Sequence, residues 1–129
     1  MTIILVLAVA GTAISAFVAE RPAPPSEDPY ARTAAEIVGQ DVLWIDARKP
    51  EVFATDHIPG AVNVSLDAWD DGFFQLMDAW TPDSMLIVYC DGEGCALSRE
   101  VAERLRKELG SEQVFWLDGG IDAWREVAP

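Results

Sequence analysis

Four short apolar runs of strand type, set between segments of helical pattern, constrain this chain more than any other feature. The runs are residues 41–46 (DVLWID), 61–64 (AVNV), 85–90 (MLIVYC) and 113–117 (QVFWL). The clearest helix between them is Leu97–Leu109. There Leu97, Val101, Leu105 and Leu109 recur every four residues, and Glu100 with Arg104 and Glu103 with Lys107 form i,i+4 pairs on the exposed side. Gly110 supplies the stop. A shorter helix is predicted over residues 30–38, with Ala31, Ala34, Ala35, Ile37 and Val38 on one side and Gly39 closing it. Strands alternating with helices predict an α/β domain with a parallel sheet covered on both faces. Such sheets collect ligands at the carboxyl ends of their strands, and Cys90 stands at such an end.

Residues 1–19 (MTIILVLAVAGTAISAFVA) carry no charged side chain. As a helix, residues 2–19 would run ~27 Å at ~1.5 Å per residue, close to the ~30 Å of a bilayer core. A cleaved signal peptide is the alternative, but no Lys or Arg precedes the run, and a cut after Ala19 would put Phe17 where a small residue is wanted. The expectation is a retained membrane anchor. Residues 20–29 (ERPAPPSEDP) hold four prolines and predict an extended spacer of up to ~30 Å at ~3.1 Å per residue. The folded domain is then expected over residues 30–129. Arg21 and Arg32 after the span lean towards a cytoplasmic domain. An apolar segment at the N-terminus resembles an export signal, and the expectation is the extracytoplasmic, periplasmic face.

The 22 acidic and 9 basic side chains give a formal charge of −13, which repels polyanions and argues against nucleic acid as a partner. Anionic small substrates are repelled as well. Two cysteines make no disulfide framework, and with a single histidine they do not supply a Cys/His zinc site. Neither metal nor cofactor is expected.

The chemistry concentrates in residues 89–98 (YCDGEGCALS), which join the most apolar strand to the best helix. Gly92 and Gly94 let the loop from Cys90 through Asp91, Gly92, Glu93, Gly94, Cys95 and Ala96 wrap tightly and turn backbone N–H groups inward, and the helix adds its positive end. Such a cradle suits a thiolate, a persulfide or an anion. From spacing alone, Cys90 reads equally as a buried small hydrophobe ending a strand. Cys95 has two readings: a resolving thiol for a persulfide or sulfenic acid on Cys90, or a small residue beginning the helix. A disulfide between them requires Cα atoms within ~7 Å.

These residues resemble the rhodanese family over residues 30–127. Asp46-Ala47-Arg48, Glu51, Phe53 and His57-Ile58-Pro59-Gly60-Ala61-Val62-Asn63 look like the family's first signature, and Leu117-Asp118-Gly119-Gly120 followed by Trp124 like its second. The resemblance implies a three-layer domain with a mostly parallel five-stranded sheet and helices on both faces. It also implies that Cys90 is the nucleophile accepting sulfane sulfur, with loop amides holding the product. Asp46 and Arg48 would brace the loop. His57 would be structural.

The loop departs from the family's pattern. Its sixth residue, often basic or hydroxylic in the family's enzymes, is Cys95, and the serine that usually follows comes two places late as Ser98. No Arg or Lys lies between Cys90 and Ser98, leaving Arg99 as the nearest cation. Related phosphatases close a seven-residue loop with arginine; the seventh residue here is Ala96, which argues against that activity. The helix end favours an anion by ~0.3–1 kcal/mol. Asp91 and Glu93, at ~6 Å through water-like dielectric, would each cost a dianion ~1.4 kcal/mol. A protein or small-molecule persulfide of low charge therefore fits better than thiosulfate as donor, with a thiol as acceptor.

The expected function is a sulfurtransferase or persulfide carrier. The alternatives are a thiol redox protein using Cys90 and Cys95, and a non-catalytic binding module at a membrane. Trp44, Trp69, Trp80, Trp116 and Trp124 read as packing. So do Phe73, Phe74, Leu76 and Met77, for which an exposed partner surface is the alternative.

Overall fold

In the computed structural model, which describes residues 27–92 and 95–128, five strands form one sheet. They are β1 (Ala31–Arg32), β2 (Leu43–Asp46), β3 (Val62–Asn63), β4 (Leu86–Tyr89) and β5 (Val114–Leu117). Their spatial order is β1-β5-β4-β2-β3, and every pairing is parallel. Among the described residues five α-helices, α1 (Ala34–Ile37), α2 (Pro50–Thr55), α3 (Trp69–Ala79), α4 (Leu97–Leu109) and α5 (Gly120–Val127), and one 3-10 turn, Leu66–Ala68, accompany the sheet.

Strand β4 runs through the middle with all four residues buried, and its side chains alternate between two cores. Leu86 and Val88 pack with Leu76 of α3 and Val101 and Leu105 of α4. Ile87 and Tyr89 pack on the other face with Ala34 and Ile37 of α1 and Ile121 of α5. Each such side chain contributes roughly 1.5–3 kcal/mol of burial. That fixes the level at which β4 ends and the loop from Cys90 begins.

The helix expected from Tyr30 starts later. Ala31 and Arg32 are instead an edge strand paired with Trp116 and Leu117, and α1 begins only after Thr33, whose side chain and that of Glu36 form a reciprocal capping box. Two residues are too few to display strand alternation, and Ala31 fits the helical pattern that follows. The domain's contacts begin before Tyr30: Asp28 accepts from the Tyr30 backbone N–H at 2.9 Å and from the Trp116 indole at 2.9 Å. These two bonds hold the Asp28 carboxyl below its ordinary pKa, the Tyr30 N–H contributing most.

The Phe73, Phe74, Leu76 and Met77 group divides. Leu76 is core and Phe73 packs against it, whereas Phe74 is 75% exposed because it falls on the solvent side of α3. The anchor expected over residues 2–19 lies outside the described residues, among which no helix is long and apolar enough to cross a membrane.

Candidate active site

Parallel register sets Asp46 beside Tyr89 on one flank and beside Asn63 on the other, at the carboxyl edge of the sheet. The Asp46 carboxylate is fully buried. It accepts from the Arg48 backbone N–H at 2.9 Å, from Arg48 Nε at 3.0 Å and Nη2 at 2.7 Å, and from the Tyr89 hydroxyl at 2.9 Å. A buried carboxylate would be costly alone; here every donor around it is charged or polar and well aligned. Tyr89 Oη also accepts from the Ile58 N–H, and Asn63 donates to the Asp46 and Arg48 carbonyls. Burial pushes the Tyr89 phenol above its ordinary pKa, and the bonds to Asp46 hold the Arg48 guanidinium above its own.

Cys90 follows Tyr89 directly and is 2% exposed. Its carbonyl oxygen accepts from the Ile121 N–H at 2.9 Å. Gly120, at φ +60°, lies so close that a Cβ there would come within 2.6 Å of the Cys90 oxygen and 2.9 Å of the Gly92 nitrogen. Only glycine satisfies both the left-handed backbone and that approach. The Asp118-Gly119-Gly120 turn is thus a backbone clamp on the start of the loop.

Arg48, rather than Arg99, is the cation that reaches the loop's start: its Nη1 stands 3.6 Å from Asp91 Oδ1. The Asp91 side chain is 78% exposed. Arg99 is the sequence neighbour, but its guanidinium lies over the Trp116 ring, 5.3 Å from the centroid. Arg99 and Trp116 border a cleft of about 160 Å3 with Gly92, Cys95, Asp118 and Gly119. A larger cleft of about 400 Å3 opens beside Leu43 and Met85 at the opposite edge of the sheet, away from every candidate side chain. Asp122 adds a carboxylate beside Gly92, where a Cβ would meet its Oδ2 at 3.0 Å.

Cys90 and Cys95 are joined by a disulfide with Cα atoms 6.5 Å apart, inside the separation the bond requires. Glu93 and Gly94 lie outside the described residues. Ala96, the residue before α4, offers no side-chain acceptor to the first-turn N–H groups, so that helix end faces the loop without a side-chain cap. Among the described residues no group of three or more His, Cys, Asp or Glu is placed to hold a metal ion.

Against known proteins, residues 31–127 match the model of the rhodanese-like domain. The chain belongs to that family. It is 32% identical over 99 residues to an HTH-type transcriptional regulator of Mycobacterium tuberculosis, covering 74% of this chain but only 41% of the regulator. The thiosulfate sulfurtransferase GlpE of Tolumonas auensis is 32% identical over 98 residues, with 76% of this chain and 86% of that protein covered. In fold it is similar to a Bacillus halodurans protein of known crystal structure, with a TM-score of 0.63 at 20% identity over 91% of this chain and 81% of the other.

Within this rhodanese-like domain, His57 stacks on Phe53 with ring centroids 3.9 Å apart and donates from Nδ1 to the Phe53 carbonyl, a structural placement. Three participants escaped the sequence reading: the Tyr89 hydroxyl, Gly120 with Ile121, and Asp122. The paired glycines after β5 were visible as a motif. That they clamp Cys90 required the fold.

Proposed function

We propose that this rhodanese-like chain is a sulfurtransferase or persulfide carrier in which reduced Cys90 accepts sulfane sulfur as Cys-S-SH and hands it to a thiol acceptor. The observation that carries the proposal is the placement of Cys90. It is buried at the carboxyl end of the central strand, its carbonyl held by Ile121, and it opens the loop that leads to the positive end of α4. Asp46 and Arg48 are positioning residues for that loop.

The GlpE relative is named for thiosulfate. Around this loop stand Asp91, Asp118 and Asp122, and Arg48 is already engaged by Asp46. A persulfide of low charge is therefore the preferred donor. The apolar N-terminal segment would tether the domain to a membrane, on its extracytoplasmic face.

The test is intact-mass analysis of the reduced full chain before and after a polysulfide challenge. Cys90→Ser should gain no sulfur, and Cys95→Ser should gain one atom. The opposite pattern would move the nucleophile to Cys95. Exchanging Asp91 and Glu93 for Asn and Gln should raise turnover with thiosulfate more than with a neutral persulfide donor. Equal gains would remove the electrostatic basis for donor choice.

A further inference from the structure

We propose that Cys95 of the same chain is the resolving thiol that discharges the Cys90 persulfide, so that sulfur loaded on Cys90 leaves as sulfide and the product is the Cys90–Cys95 disulfide. The inference rests on the reading of Cys90 as the persulfide-bearing residue and names the fate of its sulfur.

The geometry favours an internal resolving thiol. Cys95 bonds to Cys90 with Cα atoms 6.5 Å apart, so it meets the Cys90 sulfur without an outside thiol having to enter the loop. In the proposed step the Cys95 thiolate attacks Cys90 Sγ of the persulfide. The Cys90–Cys95 bond forms, the bond from Cys90 Sγ to the outer sulfur breaks, and that sulfur departs with the electron pair as hydrosulfide. The sulfane sulfur gains two electrons, and the two cysteines supply them by becoming a disulfide. No other oxidant is needed.

Turnover then needs a dithiol reductant, and the exposure of the two cysteines sets its direction. Cys95 is partly exposed and borders the cleft with Arg99, Trp116 and Asp118, so the incoming thiolate attacks Cys95. Cys90 leaves as a thiolate into the loop at the positive end of α4. The second thiol of the reductant then breaks the mixed disulfide on Cys95. Both cysteines return reduced, and the reductant leaves as its own disulfide.

The full chain, reduced and freed of reductant, is mixed with one equivalent of glutathione persulfide, and released sulfide, free thiols and intact mass are followed. The wild type should release one sulfide per chain and end two hydrogens lighter than its reduced form. Cys95→Ser and Cys95→Ala should each gain one sulfur and release it at least ~100-fold more slowly, the loss expected when an intramolecular attack is removed. Wild type that keeps the added sulfur, or Cys95 variants that release sulfide at the wild-type rate while still loading Cys90, would overturn the internal resolving thiol and leave the Cys90 persulfide standing. No sulfur on the Cys95 variants and no sulfide from the wild type would overturn both.

Discussion

At the Cys90 end of the loop, one buried carboxylate is surrounded by Arg48 and Tyr89 donors, and the next backbone carbonyl is pinned by Ile121 across Gly120. At the Cys95 end, Arg99 lies over Trp116 beside an open cleft, and the Trp116 indole donates to Asp28 near the start of the domain. The first end is built from the core outward, so its geometry is coupled to stability. The second is built on the surface, where substitution alters access and chemistry with little effect on folding. A thiol that must hold sulfur and a thiol that must meet outside partners call for these opposite environments.

The largest effect should come from Asp46→Ala, which leaves Arg48 and Tyr89 buried without their common acceptor and should cost about 3–5 kcal/mol in urea unfolding. A cost no greater than that of Arg99→Ala would erase the contrast. Next is Tyr89→Phe, expected to cost about 1–3 kcal/mol by stranding part of the same network. It also carries a pH signature. Because burial raises the folded pKa of Tyr89, its contribution is complete below the unfolded value of about 10 and declines as pH rises beyond it. The alkaline fall in melting temperature should therefore be shallower in the phenylalanine variant, and an unchanged slope would sever Tyr89 from it.

At the other end, Asp28→Asn should cost less than about 1 kcal/mol at neutral pH. The folded pKa of Asp28 is lowered, chiefly by the Tyr30 N–H, so its contribution is present above the unfolded value of about 3.9 and is lost as pH falls through the folded one. The variant should flatten the acid limb of the stability curve. The smallest effect is that of Arg99→Ala, within about 0.5 kcal/mol on unfolding. It should nonetheless slow reduction of the disulfide by a dithiol about twofold, the rate equivalent of a similar energy. A larger change in stability than in reduction rate would place Arg99 in the packing instead.

Local pattern carried far for helices and poorly for contacts between strands. The four-residue recurrence of Leu97, Val101, Leu105 and Leu109 gave α4 with the bounds Leu97–Leu109, closed by Gly110 in the left-handed conformation. Strand β1 was hidden because two residues cannot display a period. The Asp46–Arg48 brace was legible as part of a family signature. Its third member, Tyr89, was not, since it meets Asp46 only through the β2–β4 register across 43 residues of chain. The spacing of Cys90 and Cys95 was visible, and their bonding depended on how the loop folds between them. Arg99 borders the cleft at the Cys95 end, whereas the approach of Arg48 to Asp91 at the other end is a distance in space that separation along the chain does not display.

Strand order has a consequence for how the domain matures during synthesis. Strand β1 is made before β2 to β5, yet it pairs, among the described residues, with β5 alone, and the clamp on Cys90 comes from Gly120 and Ile121. A nascent chain that has emerged only as far as α4 therefore displays both cysteines without the backbone that holds the first of them, and with β1 still unpaired. The site is assembled from the latest-made third of the domain folding back on its middle, and arrest of translation before β5 should leave Cys90 open to alkylation that the completed fold resists.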